Sequence, residues 1–446
     1  MSFSLSPIGL TLAIFAIMLV LMALRTPISI AMFAAGAVGY VAQAGWLPFS
    51  NFLNTQAFAR FASYDLSVIP LFILMGNFAT QGGISRALFE FAAAVMGRFK
   101  GGLAMAAVLA SAAFGAICGS SVATAATITS VALPEMRRHG YSGRLATGTL
   151  AAGGTLGILI PPSVPLVVYA ILTEQNIAKL FAAAMVPGLL AMLGYLVVIA
   201  LICWREPALA PAGPRRAWGV RWQALLGIWP IVAIFVVVFG GIYGGVFSPT
   251  EGAAVGAVAT LVAGLAQREL GWAGLRRSFV GTAETSAMVF MIFLGADMMN
   301  ASLALTAMPA ALAAWVGALQ VPPLAIVASI LVFYVLLGCV MDELSMLLLT
   351  IPVVFPAVMA LELWGLAPEA KAIWFGVLVL MTVGIGLIAP PVGLNVYVVN
   401  NLARDVPMSE TYRGVMPFLA WDALRLLALL IFPVLSLGLV TLLFAR

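Results

Sequence analysis

The chain has 446 residues, of which 63% are hydrophobic and only 8% are charged. Soluble domains carry about 25% charged residues, so this composition excludes an ordinary soluble protein and indicates a polytopic helical membrane protein. The net charge of +5 does not indicate binding to nucleic acid, because the cations lie in short loops between apolar runs. The three cysteines lie in or beside apolar segments and form neither a disulfide framework nor a metal-binding spacing.

The first half of the chain, residues 1–204, begins with a span that we expect to be retained. Met1–Gly9 carries no Lys or Arg and no small-residue cleavage site follows, so a cleaved signal peptide is not expected. Two stretches mix charges with aromatic or apolar residues and are interpreted as arms at the membrane surface: 49–66 and 84–99. The apolar runs interpreted as spans are Ile8–Leu24, Pro27–Ala44, Leu66–Thr80 and Ala178–Trp204.

A re-entrant hairpin is predicted at 101–135, because a charge-free run of this length has positive residues at both ends and is broken at Cys118–Ser121. The next run, Leu145–Thr173, would form a helix of about 44 Å against a hydrocarbon core of about 30 Å. Its glycines and the pair Pro161-Pro162 interrupt the helix, so 144–175 is predicted to be two half-helices with an unwound centre. Backbone unwound at that depth is tolerated only against protein or a cavity, as in a transporter's binding site.

The second half, residues 222–446, follows an arginine- and proline-rich linker at 205–221. Its predicted elements are spans at Trp222–Val246 and Thr250–Gln267, an arm containing Arg268, Arg276 and Arg277, a span at Thr282–Asn300, a weakly polar stretch to Gln320, a hairpin at 322–356 with its tip at Gly338–Asp342, a broken helix at 371–401 and a last span at Gly414–Phe444.

The two halves match feature by feature. Gly119 and Gly338 lie at corresponding hairpin tips with an offset of 219, and Pro161-Pro162 corresponds to Pro390-Pro391 with an offset of 229. An odd number of spans per half turns the second copy upside down. We therefore predict an all-α polytopic membrane protein of two inverted repeats, each with five spans plus one re-entrant hairpin and one broken helix. With the N-terminus outside, all but four of the 21 Lys and Arg residues fall on the cytoplasmic side.

Three segments resemble signatures of the large permease subunit of tripartite ATP-independent periplasmic (TRAP) transporters: FGAICGSSVATAATI, GTLGILIPPSVPLVVYA and GIGLIAPPVGLNVYVV. The resemblance covers essentially the whole chain and is closest to the C4-dicarboxylate type. It implies sodium-driven uptake of a small organic anion by an elevator motion, in a bacterial inner membrane with a periplasmic N-terminus. It also implies two protein partners, a small four-helix membrane subunit and a periplasmic substrate-binding protein.

Candidate site residues lie at the tips and breaks, where helix N-termini can hold an anion and free carbonyl groups can bind Na⁺. The first predicted ion site has Gly119, Ser120 and Ser121 facing Gly154, Thr155 and Gly157. The second has Gly338 and Asp342 facing Gly384, Gly386 and Gly393. The candidate substrate contacts are Ser120, Ser121, Ser163 and Asn395, which offer hydrogen-bond donors.

Asp342 is the strongest single candidate, because a carboxylate near the bilayer centre is costly and usually functional. It lies next to Glu343, and the 219 offset makes Ala123 its counterpart. Structural roles compete with these assignments, since Ser and Thr in membrane helices often bond their own helix and Asp342 could pair with a distant donor. Asp297 and Glu284 are equally compatible with structural polar contacts, and His139 is interpreted as a solvated loop residue.

Two other function classes stay open at this point. One is a self-sufficient sodium–anion symporter with a similar hairpin plan, which would need no binding protein. The other is an intramembrane aspartyl enzyme that would use an aspartate pair such as Asp297 and Asp342. A Ser–His–acid set, a metal cluster and a phosphate-binding loop are all missing from the sequence.

Overall fold

The computed structural model describes residues 7–211, 218–318 and 321–444, and every regular element within those ranges is helical. The helices of the first half are α1 Pro7–Ala23, α2 Ile28–Ala44, α3 Trp46–Phe61, α4 Val68–Gln81, α5 Ile84–Met96, α6 Gly102–Cys118, α7 Ser121–Arg138, α8 Gly143–Gly154, α9 Leu156–Leu159, α10 Val164–Thr173 and α11 Ile177–Arg205. Those of the second half are α12 Trp218–Tyr243, α13 Pro249–Ala266, α14 Trp272–Leu305, α15 Met308–Ala318, α16 Pro323–Gly338, α17 Glu343–Met359, α18 Pro368–Gly386, α19 Leu394–Leu402, α20 Met408–Ile431 and α21 Val434–Phe444.

The described helices include seven runs that are long and apolar enough to cross a membrane. The number rises to eight if α3 and the bent segment Tyr64–Gln81 form one span, since they meet at 54°. A polypeptide can cross hydrocarbon only where its backbone groups are satisfied internally, which helices achieve. The predicted all-α polytopic fold is confirmed.

The two halves pack on each other reciprocally. Helix α2 packs along α14, while α13, its counterpart in the second half, packs along α4. Each hairpin also packs on the broken helix of the other half: α10 lies against α17, and α19 lies against α7. A two-fold relation between repeats produces this kind of exchange, in which each contact is matched by its equivalent.

The broken helices lie at the centre of the molecule. The most apolar windows of the runs Gly143–Thr173 and Pro368–Gly386 are both 89% buried inside the protein, against 33% for the span in α12. Their interrupted backbone is therefore surrounded by protein, where unpaired polar groups are tolerated. Helices such as α12 and α13 form the outer layer.

Three of the differences from the sequence-based prediction change how the elements are divided. The arm and span expected around Arg276, Arg277 and Thr282–Asn300 are one 34-residue helix, α14, because the sequence between them holds no proline to end a helix. The last span is two helices, because Pro433 cannot donate a backbone hydrogen bond and α20 ends before it. The linker ends before Arg221, since α12 begins at Trp218.

Parts of four predictions lie outside the described residues. They concern the start of the first half, including most of the stretch Met1–Gly9 (residues 1–6), the middle of the linker (212–217), the end of the weakly polar stretch (319–320) and the last two residues of the second half (445–446).

Candidate functional site

Each hairpin tip is bonded to the break of its own half by an equivalent hydrogen bond. In the first half, the N–H of Val164 donates to the carbonyl of Gly119 at 3.3 Å; in the second, the N–H of Gly393 donates to the carbonyl of Cys339 at 3.2 Å. The two donors differ by the same 229 residues as the proline pairs. Both proline pairs, Pro161-Pro162 and Pro390-Pro391, contain a cis peptide bond. The structure thus places tip and break together twice, as a repeat requires.

The first predicted ion site is brought together in part. Gly119 has a positive φ of 65°, and a Cβ added to it would lie 2.9 Å from the carbonyl oxygen of Pro162. A Cβ added to Gly157 would lie 2.6 Å from the carbonyl oxygen of Ser120. Gly119, Ser120 and Gly157 therefore meet at backbone distance, which only glycine permits at the two glycine positions.

The side chain of Thr155 points away from that tip. Its hydroxyl donates to the carbonyl of Ala152 at 2.7 Å and lies 3.1 Å from the hydroxyl of Tyr195 on α11. Tyr195 in turn donates to the buried carboxylate of Asp422, which pairs with Arg425 at 2.8 Å. Thr155 is thus the end of a buried polar chain that fixes the first break to α11 and α20.

Two of the four predicted substrate contacts meet across the repeats. The amide of Asn395 on α19 donates to the hydroxyl of Ser121 at 2.7 Å and to the carbonyl of Ala151 at 3.4 Å. A carbonyl can only accept, so the Ala151 contact fixes the amide nitrogen on that side and leaves the oxygen on the other. Gly154 lies beside this amide, since a Cβ added to it would be 2.9 Å from the amide nitrogen of Asn395.

The other two predicted substrate contacts are helix caps. The hydroxyl of Ser120 accepts from the N–H of Ala123 at 3.5 Å, and that of buried Ser163 accepts from the N–H of Leu166 at 3.4 Å. Both residues begin a helix next to a tip or break, so they mark the N-termini of α7 and α10. Their part in substrate binding stays a prediction.

The second predicted ion site also comes together through glycines. A Cβ added to Gly386 would lie 2.6 Å from the Cα of Gly338, and Gly393 has a positive φ of 59° at the start of α19. Gly384 is placed differently, because a Cβ added to it would lie 3.7 Å from the side chains of Thr155 and Ile158 in the first break. Gly384 therefore forms part of the contact between the two broken helices.

Tyr412 on α20 bonds to the unwound segment of the second broken helix, and the sequence analysis did not predict this contact. Its hydroxyl lies 2.8 Å from the carbonyl oxygen of Pro391 and 2.6 Å from that of Val392, so it satisfies unwound backbone. Tyr412 lies about twenty residues beyond the break in sequence, so no local pattern pointed to this contact.

Asp342 caps α17. Its carboxylate accepts from the N–H of Ser345 at 3.0 Å, as an N-cap aspartate does. By position it corresponds to Ser120, the cap of α7, so the predicted counterpart Ala123 is wrong. The reason is that the second tip has four residues between its helices and the first has two, and a fixed offset cannot follow that difference. The role of Asp342 as an ion ligand stays a prediction.

Glu343 is the buried acid of the second tip, whereas its neighbour Asp342 is only partly buried. Glu343 is the first residue of α17 and is 7% exposed. Within the described part of the chain its Oε2 has no hydrogen-bond partner. Sequence reasoning noted Glu343 only as the neighbour of Asp342, although it was the other acid next to the second tip.

The remaining acidic candidates have structural partners or lie at the surface. Asp297 forms a two-point ion pair with Arg60 of α3, with distances of 2.6 and 2.5 Å. Glu284 is exposed on α14, and His139 follows α7 with its ring 2.9 Å from the carbonyl of Glu135. Because Asp297 binds Arg60 and Asp342 caps α17, the two do not form a catalytic aspartate pair.

The donor set of the tips suits a hard monovalent cation. Backbone carbonyls and hydroxyls surround the glycine contacts, and the described residues contain no group of three or more His, Cys, Asp or Glu side chains that could hold a metal. Divalent cations prefer several carboxylates, whereas unwound carbonyls suit Na⁺.

Comparison with known proteins gives a consistent result. Residues 15–435 match the family described as tripartite ATP-independent periplasmic transporter, DctM component. The chain is 35% identical to the C4-dicarboxylate TRAP transporter large permease protein DctM of Pseudomonas aeruginosa over 391 residues, 87% of this chain and 88% of that one. It is 32% identical to the isethionate TRAP transporter permease protein DctMQ of Oleidesulfovibrio alaskensis, over 93% of this chain and 63% of that one.

Among solved structures, the fold resembles that of the YdaH transporter of Alcanivorax borkumensis. The TM-score is 0.65 at 15% sequence identity, and the match covers 94% of this chain and 97% of the other. At that identity the likeness concerns the fold alone.

Proposed function

The chain belongs to the DctM component family of the tripartite ATP-independent periplasmic transporters, and we propose that it is the membrane-embedded transport subunit of a sodium-driven, binding-protein-dependent importer of small organic anions. One observation carries the proposal. The amide of Asn395 reaches across the repeats to Ser121 at the first hairpin tip, so polar groups of both halves converge on one buried place.

The anion would be held by helix N-termini and hydroxyls. Helices α7, α10, α17 and α19 all begin at a tip or break, and each presents free N–H groups and a partial positive charge. Ser120, Ser121, Ser163 and Asn395 lie at these starts and can add hydrogen bonds to a carboxylate. The two relatives are named for C4-dicarboxylates and for isethionate, which supports a small organic anion as the substrate class.

Sodium would bind at the carbonyl-rich tips. Gly119, Ser120 and Gly157 in the first half, and Gly338, Gly386 and Gly393 in the second, bring backbone oxygens close enough to serve as ligands. The sodium gradient would supply the energy for uptake. The protein would hold these oxygens in fixed positions and keep water away from them.

The transport step would be an elevator motion. The hairpins and broken helices form the central body, and the reciprocal pairs α2–α14 and α4–α13 form a surrounding scaffold. Such a body can carry a bound anion between the two sides of the membrane without unfolding its site. We place the chain in a bacterial inner membrane with its N-terminus in the periplasm.

The family implies two partners, a small four-helix membrane subunit and a periplasmic substrate-binding protein, and the DctMQ name of one relative fits a permease joined to its small subunit. A self-sufficient symporter would need neither. An aspartyl enzyme has no support in the structure, because Asp297 and Asp342 have separate partners.

The test is uptake into proteoliposomes that contain this chain, its small subunit and the binding protein, with and without an inward sodium gradient. We expect uptake of a dicarboxylate or related anion only with all three proteins and sodium. Uptake by this chain alone would identify a self-sufficient symporter, and uptake that ignores the sodium gradient would contradict sodium coupling.

A further inference from the structure

A buried ion pair on α20 lies outside both predicted ion sites. Asp422 and Arg425 are 1% and 4% exposed, and a guanidinium nitrogen of Arg425 lies 2.8 Å from one carboxylate oxygen of Asp422. Arg425 also donates to the carbonyl of Pro187 on α11 at 3.0 Å. Charged side chains inside a membrane protein are costly, and they usually serve its function.

The other carboxylate oxygen of Asp422 connects this pair to the first break. It accepts a hydrogen bond from the hydroxyl of Tyr195 on α11 at 2.6 Å, and that hydroxyl lies 3.1 Å from the hydroxyl of Thr155. Tyr195 and Thr155 are 0% and 1% exposed, so both contacts are shielded from water. A buried path of hydrogen bonds therefore runs from α20 to the first break.

The first break needs such an anchor because of its glycines. Three of the five residues 153–157 are glycines, which have no side chain to hold the backbone, and Thr155 supplies the polar side chain of this stretch. The groups of a binding site must be held to within about 0.5 Å by their surroundings. Anchoring Thr155 through Tyr195 would therefore fix the carbonyl groups proposed to bind sodium.

The same helix is bonded to the second break by a different residue. The hydroxyl of Tyr412 lies 2.8 Å from the carbonyl oxygen of Pro391 and 2.6 Å from that of Val392. Tyr412 and Asp422 are about 15 Å apart along α20, at 1.5 Å per residue. Accordingly, α20 packs on α8 of the first broken helix and on α18 and α19 of the second.

We propose that α20 positions both sodium sites, with Tyr412 acting on the second break and Asp422 acting on the first through Tyr195 and Thr155. The inference rests on the proposed sodium coupling and adds residues that neither predicted ion site contains. Asp422, Tyr195 and Tyr412 are positioning residues, because they bond to the breaks and not to the ion. One helix of the second half thus holds the ion-binding backbone of both halves.

The experiment measures thermal unfolding of the purified full-length chain while NaCl replaces KCl at constant ionic strength. For the wild type we expect the melting temperature to rise with NaCl. For Tyr195→Phe and for Tyr412→Phe we expect the sodium concentration at half of that rise, the sodium midpoint, to be at least about 3-fold higher, as expected for one lost hydrogen bond. A purely structural role would lower the melting temperature in both salts and leave the sodium midpoint unchanged, which would overturn the proposal.

Tyr334→Phe is the matched control. Tyr334 is 0% exposed and its hydroxyl accepts from that of Thr350 at 2.6 Å, so it forms the same type of buried pair, but within the second hairpin. We expect a lower melting temperature with an unchanged sodium midpoint. A shift in the midpoint as large as that of Tyr195→Phe would show that the loss of any buried tyrosine hydroxyl has this effect, and it would overturn the proposal.

Variants of Thr155 test the path to the first break. Thr155→Ser keeps the hydroxyl and should keep the sodium midpoint, whereas Thr155→Val removes the hydroxyl at similar shape and should raise the midpoint as Tyr195→Phe does. If both residues act through their shared contact, combining Thr155→Val with Tyr195→Phe should shift the midpoint no further than either change alone. Shifts that add in full would overturn the path.

Failure of this inference and failure of sodium coupling can be told apart. A wild type that sodium does not stabilise, together with uptake by the three proteins that ignores sodium, would contradict both. Sodium stabilisation of the wild type with unchanged midpoints in Tyr195→Phe and Tyr412→Phe would contradict only the role of α20. A shift in just one of these two variants would also overturn that role, because α20 would then position one break alone.

Discussion

The two hairpin tips occupy equivalent places in the fold, but one has neutral side chains and the other has acidic ones. The first tip has two residues between its helices and is neutral, with Ser120 as the cap and Ser121 as the first helical residue. The second has four, with Asp342 as the cap and Glu343 as the first helical residue. The two first residues differ in the same way, since Ser121 has a neutral hydroxyl group and Glu343 has a carboxyl group in a residue that is 7% exposed. The two tips thus share their geometry, whereas acidic side chains at these two matched positions occur only in the second tip.

The largest expected effect comes from crowding the first tip. Gly119→Ala places a Cβ 2.9 Å from the carbonyl oxygen of Pro162, at a φ that L-residues rarely adopt. We expect uptake to fall at least 10-fold, because the added methyl group would push the first tip away from the first break. The control is Gly140→Ala, which has a similar φ of 71° but nothing within 4 Å of the added Cβ. Equal losses in both variants would show that strain alone matters, and that the contact between tip and break does not.

The second-largest effect is expected from removing the hydrogen bond between Asn395 and Ser121, which joins the two halves. Asn395→Ala removes the amide that joins α19 to Ser121 and leaves the hydroxyl and the Ala151 carbonyl without it. We expect a loss of stability of about 1–3 kcal/mol and an uptake loss of about 10-fold or more. Asn400→Ala on the same helix is the control, because its amide bonds only to residues of the second half. Denaturation of the purified variants and uptake would be compared; a larger uptake loss in Asn400→Ala would argue against a site between the halves.

The two breaks are each held by a tyrosine, but in different surroundings. Tyr195 is 0% exposed and links Thr155 to Asp422, whereas Tyr412 is only partly buried and bonds to unwound carbonyls. We expect Tyr195→Phe to cost about 1–3 kcal/mol, because it leaves a buried charged group with one partner fewer. Tyr412→Phe should cost less, about 0.5–1.5 kcal/mol, since water can replace the lost hydroxyl. The reverse order in thermal unfolding would contradict this comparison of the breaks.

The smallest effect is expected at Asp342. Asp342→Ala removes a helix cap and should lower stability by about 1 kcal/mol, whereas Asp342→Asn should change it by a few tenths, because Asn caps equally well. Thermal unfolding in KCl would measure both. A large loss for Asp342→Asn would mean that the charge of Asp342 itself has an important partner.

Local signals in the sequence were sufficient for the glycines and prolines of the tips and breaks. Gly119, Gly393 and the proline pairs impose backbone geometry by themselves, so their positions could be predicted. The contacts of Tyr195 and Tyr412 and the burial of Glu343 depend on tertiary packing between distant segments, which no local pattern encodes. The counterpart of Asp342 was missed because the two tips differ in length. The continuous α14 was missed because charged residues were taken to mark an arm, although arginines are good helix formers.

The reciprocal packing of the halves has a consequence for biogenesis. Helix α4 ends at Gln81, and its partner α13 begins at Pro249, so the ribosome must add about 170 residues before the two can meet. At about 5–20 residues per second, that interval is on the order of ten to thirty seconds. During it, the faces of α2 and α4 that will later be covered by the second half are open to lipid or to an insertion factor. A first half made without the second would keep those faces uncovered.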